Sequence, residues 1–205
     1  MLPDTVILIF AKAPVEGDVN TRLIPTIGVK AATRLQHDLV HQRLTMLSQS
    51  KLCDVILMCS PDETQNFFLQ CKQKYAVKLR KQTGSDLGER MMNGVCEVLT
   101  RYKHCIVIGT DAPALDARMI QQAINALHDY TSVVFVPAED GGYVLVGMQH
   151  CYDVLFQDIS WGTSEVMQQS RSVLNEYKVL YKELETSWDV DRLEDYQRYL
   201  EYIKM

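Results

Sequence analysis

Two short motifs place aspartates directly after apolar runs that are typical of buried strands. Residues 105–108 lead into Gly109-Thr110-Asp111-Ala112-Pro113, and residues 133–136 lead to Asp140. Short apolar runs rich in β-branched residues predict buried strands. Pro113 has no N–H and restricts the residue before it, so the chain turns and leaves Asp111 at the strand's carboxyl end. The alternative is that Asp111 only caps the following helix.

Carboxylates at this position suit metal chemistry. Open α/β sheets bind ligands at the carboxyl ends of their strands, and a carboxylate there can hold a hard divalent cation against phosphates. Near the end of the chain, Asp189 and Asp191 alternate and face the same side if the segment is extended. Either could complete a metal site with Asp111, or Asp191 could cap the last helix.

The loop at residues 11–23 follows the first predicted strand and has the composition of a phosphate site. Gly17 lets backbone amides approach an anion, and Lys12 and Arg22 supply positive charge. The loop lacks the glycines of a P-loop or a GxGxxG loop. The alternative is an exposed polar loop with incidental charges.

Two further loops carry groups that could contact a base or a sugar. In residues 82–90, the Gln82 amide can pair with a base edge, and a glycine of this loop permits close stacking of a planar ring. The alternative is a turn in which Ser85 or Asp86 caps a helix. Trp161 precedes another predicted helix, where it could line a sugar or base site or anchor the core.

The elements that must position these residues alternate between strand and helix. This pattern predicts an α/β fold with a mostly parallel sheet and helices on both faces, in one domain spanning residues 1–205. A strand directly after Gly141-Gly142 predicts an antiparallel excursion late in the sheet. Strands are predicted at 5–11, 53–59, 77–79, 104–109, 132–136, 143–148 and 179–181, and helices at 29–48, 63–74, 89–101, 118–129, 164–176 and 193–203.

Composition excludes several classes of protein. The chain has 205 residues, 47% of them hydrophobic, and a formal net charge of −5, which argues against a nucleic-acid binder. No apolar run reaches the roughly 20 residues of a membrane helix. Asp4, rather than basic residues, precedes the first apolar run, so we expect no signal peptide, no membrane partner and a cytoplasmic protein.

The cysteines and histidines show no clear site. None of the six cysteines forms a CxxC pair, so we expect no disulfide framework, and Cys53, Cys59 and Cys105 resemble small core residues. His37 and His41 have the i, i+4 spacing of zinc ligands on a helix. Without a glutamate after His37, the pattern favours two exposed helix histidines.

Taken together, the motifs resemble a known group of proteins. AKAPxxGxxxTRL, QxGxDLGERM, IGTDAP, PxEDGGY, WxT and DxDxxED occur in this order between about residues 5 and 200. The chain therefore resembles a group of small GT-A-fold proteins described as glycosyltransferase-like or radical-SAM/selenodomain-associated transferases. These are similar in fold to the nucleotidyltransferases that make molybdopterin dinucleotides and phospholactate guanylyl conjugates.

The resemblance implies a three-layer αβα fold of the nucleotide-diphospho-sugar transferase type, and it implies roles for individual residues. The nucleotide would contact Lys12, Gly17, Arg22, Gln82 and Gly88. The ligands of Mg²⁺ or Mn²⁺ would be Asp111, Asp191 and, second to it, Asp189. The acceptor or sugar would face Asp140, Gly141, Gly142, Tyr143 and Trp161. One departure is Asn20, where the group usually has a lysine.

The expected function is metal-dependent transfer from a nucleoside triphosphate or nucleotide sugar to a small acceptor. Arg22 and Asp111 would act on the phosphates, and Asp140 would orient the acceptor or act as a base. Both glycosyl and nucleotidyl transfer fit the sequence. The alternative, motivated by Asn20, is a non-catalytic nucleotide-binding or partner protein that keeps the fold. The sequence does not specify an oligomeric state.

Overall fold

The computed structural model describes residues 4–129 and 131–204, and its strands form one sheet. The strands are β1 (Thr5–Lys12), β2 (Asp54–Ser60), β3 (Lys78–Lys81), β4 (His104–Ile108), β5 (Val133–Pro137), β6 (Tyr143–Met148) and β7 (Tyr181–Glu183). Their order is β3-β2-β1-β4-β6-β5-β7. All neighbouring pairs are parallel except those of β6, which runs antiparallel to β4 and β5. The predicted mostly parallel sheet with a late antiparallel strand is confirmed.

The helices are α1 (Ile24–Ile27), α2 (Val29–Ser50), α3 (Asn66–Tyr75), α4 (Leu87–Val98), α5 (Ala117–His128), α6 (Val166–Glu176) and α7 (Leu193–Tyr202), with a 3₁₀ turn at Asp153–Leu155. Within the described residues, none of these helices is long and apolar enough to cross a membrane. The sequence did not predict α1 or the 3₁₀ turn. It also placed β7 two residues too early.

Two apolar cores lie on opposite faces of the sheet, as the alternation of side chains along a strand requires. Ile7 and Ile9 of β1 belong to the core that includes buried residues of α2, α3 and α5. Val6 and Leu8 belong to the core that includes residues of α4 and α6. The architecture is therefore the predicted three layers, with a helix layer on each side of the sheet.

One expectation about the cysteines was wrong. Cys96 of α4 and Cys151, just after β6, form a disulfide, with Cα atoms 5.2 Å apart. No local spacing signals this pair, because it depends on the antiparallel course of β6. That strand ends beside the start of β4, where the chain leaving α4 also arrives. Cys59 and Cys105 are buried as predicted, whereas Cys53 is only half-buried. Burial raises the pKa of the Cys59 thiol to about 12.

Candidate functional site

A cleft of about 640 Å³ opens at the carboxyl ends of β1 and β4. The turn between β5 and β6 borders it, since β6 runs antiparallel and starts at this edge. The predicted site residues that line the cleft are Lys12, Arg22, Gln82, Asp111, Asp140, Gly142, Tyr143, Trp161, Asp189 and Asp191. Gly17, Gly88 and Gly141 are not among its lining residues.

Asp111 leaves β4 at the floor of this cleft, and it is not a helix cap. The N-cap of α5 is Asp116, whose Oδ1 accepts a hydrogen bond of 2.8 Å from the N–H of Met119. The carbonyl oxygen of Asp111 accepts the N–H of Val190 at 2.8 Å. This bond fixes the segment that carries Asp189 and Asp191 beside the end of β4, and it leaves the Asp111 carboxylate free to face the cleft.

The acidic side chains of the cleft interact electrostatically. Asp111 opens to the cleft and is surrounded by protein elsewhere, so loss of solvation raises its pKa, and the charges of Asp191 and Asp140 raise it further. Loss of solvation, followed by the charges of Asp111 and Asp140, raises the pKa of Asp189 to about 7. The four carboxylates therefore repel one another at neutral pH, and a cation among them would relieve that repulsion.

One cation already lies against this group. Arg22 Nη1 donates a hydrogen bond to Asp191 Oδ2 across the cleft. The Arg22 side chain is 58% exposed, so the ion pair contributes only about 0–1 kcal/mol and can exchange for another partner. Within residues 4–129 and 131–204, no three acidic, histidine or cysteine side chains are already arranged around a common metal position.

Asn20 stands where the group that the sequence resembles usually has a lysine, and its side chain connects the loop to α2. Its backbone has a left-handed φ of 48°, a conformation that asparagine tolerates better than most residues. Its Nδ2 donates to the carbonyl oxygen of Ala32 at 3.0 Å, which ties the loop to α2. The amide of Asn20 is therefore turned toward this helix, and the nearby positive charges of the loop come from Lys12 and Arg22.

Gln82 joins the ends of two strands through its side chain. Its Nε2 donates to the carbonyl oxygens of Ala11, at 3.2 Å, and Met58, at 2.8 Å. These two acceptors also settle which amide atom is nitrogen. Both N–H groups of the side chain are engaged, so the atom left to contact a ligand in the cleft is the acceptor Oε1.

Two of the predicted glycines serve packing around the cleft. A Cβ at Gly88 would lie 2.4 Å from both the carbonyl oxygen of Phe156 and Nε1 of Trp161. A Cβ at Gly141, whose φ is 93°, would lie 2.3 Å from the carbonyl oxygen of Ser164. Gly88 therefore seats the indole of Trp161 on the start of α4, and Gly141 seats the β5–β6 turn against the segment before α6.

Tyr143 and Trp161, which the resemblance assigns to the acceptor or sugar, contact each other beside this turn. The rings of Tyr143 and Trp161 meet edge to face with centroids 6.3 Å apart. Burial raises the pKa of the Tyr143 hydroxyl. Asp140 Oδ1 accepts the N–H of Gly142 at 2.8 Å, which fixes the turn.

One residue that was not predicted from the sequence anchors the segment that follows Asp111. Arg43 of α2 is 4% exposed, and its Nη1 and Nη2 donate to the carbonyl oxygens of Leu115 and Ala112. Burial lowers its pKa to about 10, so it stays charged at neutral pH. The signal was present in the sequence, because Arg43 falls among the apolar positions Leu39, Val40, Leu44 and Leu47 of the predicted α2.

Comparison with known proteins agrees with the fold described above. A 1.90 Å structure from Desulfovibrio desulfuricans G20, provisionally named a nucleotide-diphospho-sugar transferase, is 26% identical with a TM-score of 0.88, covering 99% of this chain and 89% of that one. A 4-diphosphocytidyl-2C-methyl-D-erythritol synthase from Anaerococcus prevotii DSM 20548 is 11% identical with a TM-score of 0.66, covering 99% of each chain. Rv0371c from Mycobacterium tuberculosis H37Rv, solved with manganese, is 14% identical with a TM-score of 0.57, covering 96% and 97%.

The search of curated proteins found no match. Residues 43–163 match a family described as an uncharacterized protein conserved in bacteria, DUF2064. That match spans more than half of the chain. The chain therefore belongs to the DUF2064 family, and its fold is that of nucleotide-diphospho-sugar transferases and cytidylyltransferases.

Proposed function

We propose that this protein is a metal-dependent transferase that uses a nucleoside triphosphate or nucleotide sugar and transfers a nucleotidyl or glycosyl group to a small acceptor. The observation that carries the proposal is that Asp111, Asp140, Asp189 and Asp191 all line one cleft at the carboxyl ends of the strands. Loss of solvation, and after it the neighbouring carboxylates, raise the pKa of Asp111 and Asp189 there. A scaffold has no physical need for mutually repelling carboxylates there. We also propose that the chain is a member of the glycosyltransferase-like group that its sequence motifs resemble.

The donor set of the cleft suits Mg²⁺ or Mn²⁺, which prefer carboxylate oxygens. Arg22 on Asp191 and the raised pKa of Asp189 both indicate that these carboxylates favour a positive partner. In the proposal, Asp111 and Asp191 hold the ion, with Asp189 second. When bound, such an ion polarises phosphate oxygens and offsets the charge that develops on them. The manganese-bound Rv0371c structure shares this fold.

The remaining side chains of the cleft have roles in binding and orientation. Lys12 and Arg22 offer positive charge to the phosphates, which requires Arg22 to leave Asp191. Gln82 Oε1 accepts an N–H of the base. Gly17 lies in the phosphate loop, and Gly88 makes room for the indole of Trp161 at the start of α4. Asp140 orients the acceptor hydroxyl or phosphate or takes its proton. Gly141 and Gly142 hold the turn, while Tyr143 and Trp161 form an apolar wall.

A thermal-shift screen tests the proposal. The full chain is heated with CTP, GTP, ATP, UTP or nucleotide sugars, each with and without MnCl₂ or MgCl₂. A ligand that binds only the native state stabilises it by about 2.7 kcal/mol at a hundredfold excess over Kd, so at least one nucleotide should raise Tm when the metal is present. If none of these ligands raises Tm, the proposal is wrong.

Asp111→Asn is the matched variant for the screen. It keeps the shape of the side chain and removes the charge, so it should fold normally and lose the metal-dependent part of the shift. An equal metal-dependent shift in the variant would contradict the role of Asp111. For the nucleotide found, ³¹P spectra then separate the two reactions, because nucleotidyl transfer releases pyrophosphate and glycosyl transfer releases a nucleoside diphosphate.

Asn20 favours a second candidate, a nucleotide-binding protein without turnover. Its amide is engaged by Ala32, so this position offers the phosphates no cation. Metal-dependent binding without product would support this candidate. In that case Asn20→Lys, which adds a point charge near the phosphates, should tighten binding of triphosphates by about 1–3 kcal/mol if position 20 faces them. Unchanged binding would leave Lys12 and Arg22 as the relevant cations.

A further inference from the structure

A second cavity lies on another part of the molecule and is unconnected with the proposed transfer. It is an open groove of about 1250 Å³ between α2 and α3, and it shares no lining residue with the nucleotide cleft. His37 and His41 lie on its α2 side, and Tyr75, the last residue of α3, lies on the other. The groove therefore carries imidazole groups where the cleft carries carboxylates.

The two histidines form a pair on successive turns of α2. Their ring centroids are 4.4 Å apart, with an angle of 64° between the ring planes. Phe67 of α3 packs against both rings, with centroid distances of 5.4 Å to His37 and 5.5 Å to His41. Packing between two helices therefore holds the pair, although the His37 side chain is still 48% exposed and that of His41 is half-buried.

The hydrogen bond of His37 fixes its tautomer. Nδ1 of His37 lies 3.1 Å from Oδ1 of Asp38. An ionised carboxylate can only accept a hydrogen bond, so Nδ1 must carry the hydrogen. In the neutral ring, Nε2 then holds the lone pair that a metal ion requires.

His41 has an equivalent partner in Tyr75. Its Nδ1 lies 2.8 Å from the Tyr75 hydroxyl oxygen. The single hydrogen of that hydroxyl has two other acceptors, Thr45 Oγ1 at 3.2 Å and the carbonyl oxygen of His41 at 3.5 Å. The hydroxyl oxygen can then accept Nδ1–H of His41, which leaves Nε2 of this ring with its lone pair as well.

From this arrangement we propose that His37 and His41 bind a divalent transition-metal ion, of the class of Zn²⁺, Ni²⁺ or Cu²⁺, through their Nε2 atoms. Imidazole is a preferred ligand of these ions, whereas carboxylates suit Mg²⁺ and Mn²⁺. Histidines that bind metals commonly donate their other N–H to a carboxylate or another acceptor, as Asp38 and Tyr75 allow here. The open groove leaves the remaining coordination positions to water or to a small ligand.

Nearby positive charges limit the strength of this site. Lys74 Nζ lies 5.0 Å from the centroid of the Tyr75 ring, and Arg34 Nε lies 3.7 Å from Asp38 Oδ2. Asp38 is the compensating negative charge. We therefore expect weaker binding than at a closed four-ligand zinc site, and we expect Asp38 to contribute to it.

The chain contains a matched control pair. The rings of His104 and His128 have almost the same geometry, with centroids 4.5 Å apart and an angle of 65°. However, His104 is only 7% exposed, and its Nδ1 faces Thr5 Oγ1 at 3.3 Å. Both pairs therefore have their rings close together. Of the two pairs, His37 and His41 are the one that lies in an open groove with a carboxylate and a phenol as hydrogen-bond partners.

The test is a calorimetric titration of the metal-free full chain with ZnCl₂ or NiCl₂, with MgCl₂ in excess to occupy the carboxylates. We expect one transition-metal ion per chain, and ¹⁵N spectra should show the resonances of His37 and His41 Nε2 shifting on binding. His37→Ala and His41→Ala should each weaken binding at least tenfold. Tyr75→Phe, which removes only the hydroxyl partner, should weaken it roughly tenfold. His128→Ala should leave it unchanged.

Three results would overturn the proposal: no binding, binding that survives His37→Ala and His41→Ala together, or binding that is lost in His128→Ala. Unfolding curves of each variant without metal show whether the native fold is retained. A chain that binds zinc in this groove but no nucleotide in the cleft would separate this inference from the proposed transferase function, which it does not require.

Discussion

At the scale of single residues, the charge of Asp189 links the candidate site to stability. Its pKa is raised from 3.8 to about 7 by loss of solvation and by Asp111 and Asp140. The unfolded carboxyl releases its proton near pH 3.8, and the folded one near 7. Between these values the native state holds the extra proton, so the free energy of unfolding falls as pH rises. The charged cleft thus destabilises the ligand-free protein at neutral pH.

Asp189→Asn should therefore stabilise the protein in a pH-dependent way. Urea unfolding at about pH 5 and about pH 8 should show a larger advantage of the variant at the higher pH. Because one pKa unit is worth about 1.4 kcal/mol, the advantage should not exceed about 4 kcal/mol. Asp18→Asn, at an exposed loop position that does not line the cleft, is the control and should show little change. A variant that is no more stable at about pH 8 would contradict the like-charge account.

The sequence allowed part of this residue-scale description. A strand that ends at Asp111 before a proline predicted a carboxylate at the rim, because the chain must turn there. It did not reveal that Asp116 caps α5 or that Arg22 contacts Asp191. It also did not reveal that the side-chain amide of Gln82 donates hydrogen bonds to Ala11 and Met58. Those contacts join segments far apart in the chain, so they depend on the completed sheet.

At the scale of elements, Arg43 connects α2 to the loop between β4 and α5. Arg43→Met keeps an unbranched side chain but leaves two buried carbonyl oxygens, those of Ala112 and Leu115, without donors. Unfolding should become easier by about 3 kcal/mol. Metal-dependent nucleotide shifts should also shrink, because the same loop carries Asp111. Chemical unfolding and the thermal-shift screen provide the two measurements.

Arg34→Met is the control for this substitution on the same helix. Arg34 pairs with Asp38 only at the surface, with 3.7 Å between Nε and Oδ2, so its loss should change stability by about 0–1 kcal/mol. If Arg43→Met costs no more than Arg34→Met, the buried hydrogen bonds of Arg43 do not support the loop.

A substitution at Gly88 tests the contact between α4 and Trp161. In Gly88→Ala the new Cβ meets the carbonyl oxygen of Phe156 and the Trp161 ring at 2.4 Å. Both the indole and the backbone at Phe156 must shift, at a cost of about 1–3 kcal/mol or more, and tryptophan fluorescence should report the displacement of the indole. In Gly94→Ala of the same helix, the new Cβ meets side-chain ends that can move, namely Met58 Cε at 3.2 Å, Leu8 Cδ1 at 3.3 Å and Phe10 Cζ at 3.5 Å, so this substitution should cost much less. Similar effects from both substitutions would contradict the seating of Trp161 on Gly88.

Helices and strands with a clear apolar pattern in their own residues were predicted correctly. Those whose position depends on contacts with other elements were not. Apolar periodicity predicted α2 at 29–48, and the structure extends it only to Ser50. In contrast, β7 has three residues, and two of them are exposed. Its position is set by pairing with β5, which the local sequence does not encode. The helix α1 has only four residues, too few for an apolar periodicity that would predict it from the sequence.

At the scale of the whole molecule, the antiparallel strand β6 has two consequences. Its start at the Gly141-Gly142 turn brings Tyr143 to the cleft, and its end brings Cys151 to Cys96 at the opposite edge of the sheet. The disulfide therefore links α4, whose first turn seats Trp161, to the segment that leads to Trp161. Sequence alone predicted the reversal of the strand but not the covalent link that the reversal makes possible.

Removing this link should lower the stability of the whole fold. The bridge spans 55 residues, for which the loop-entropy relation gives about 4 kcal/mol. Urea unfolding with and without a phosphine reductant measures the difference, and the double variant Cys96→Ser/Cys151→Ser should be insensitive to the reductant. The unfolded, unreduced protein should show four titratable thiols, those of Cys53, Cys59, Cys71 and Cys105. Six titratable thiols, or identical unfolding with and without reductant, would mean that Cys96 and Cys151 are not paired in solution.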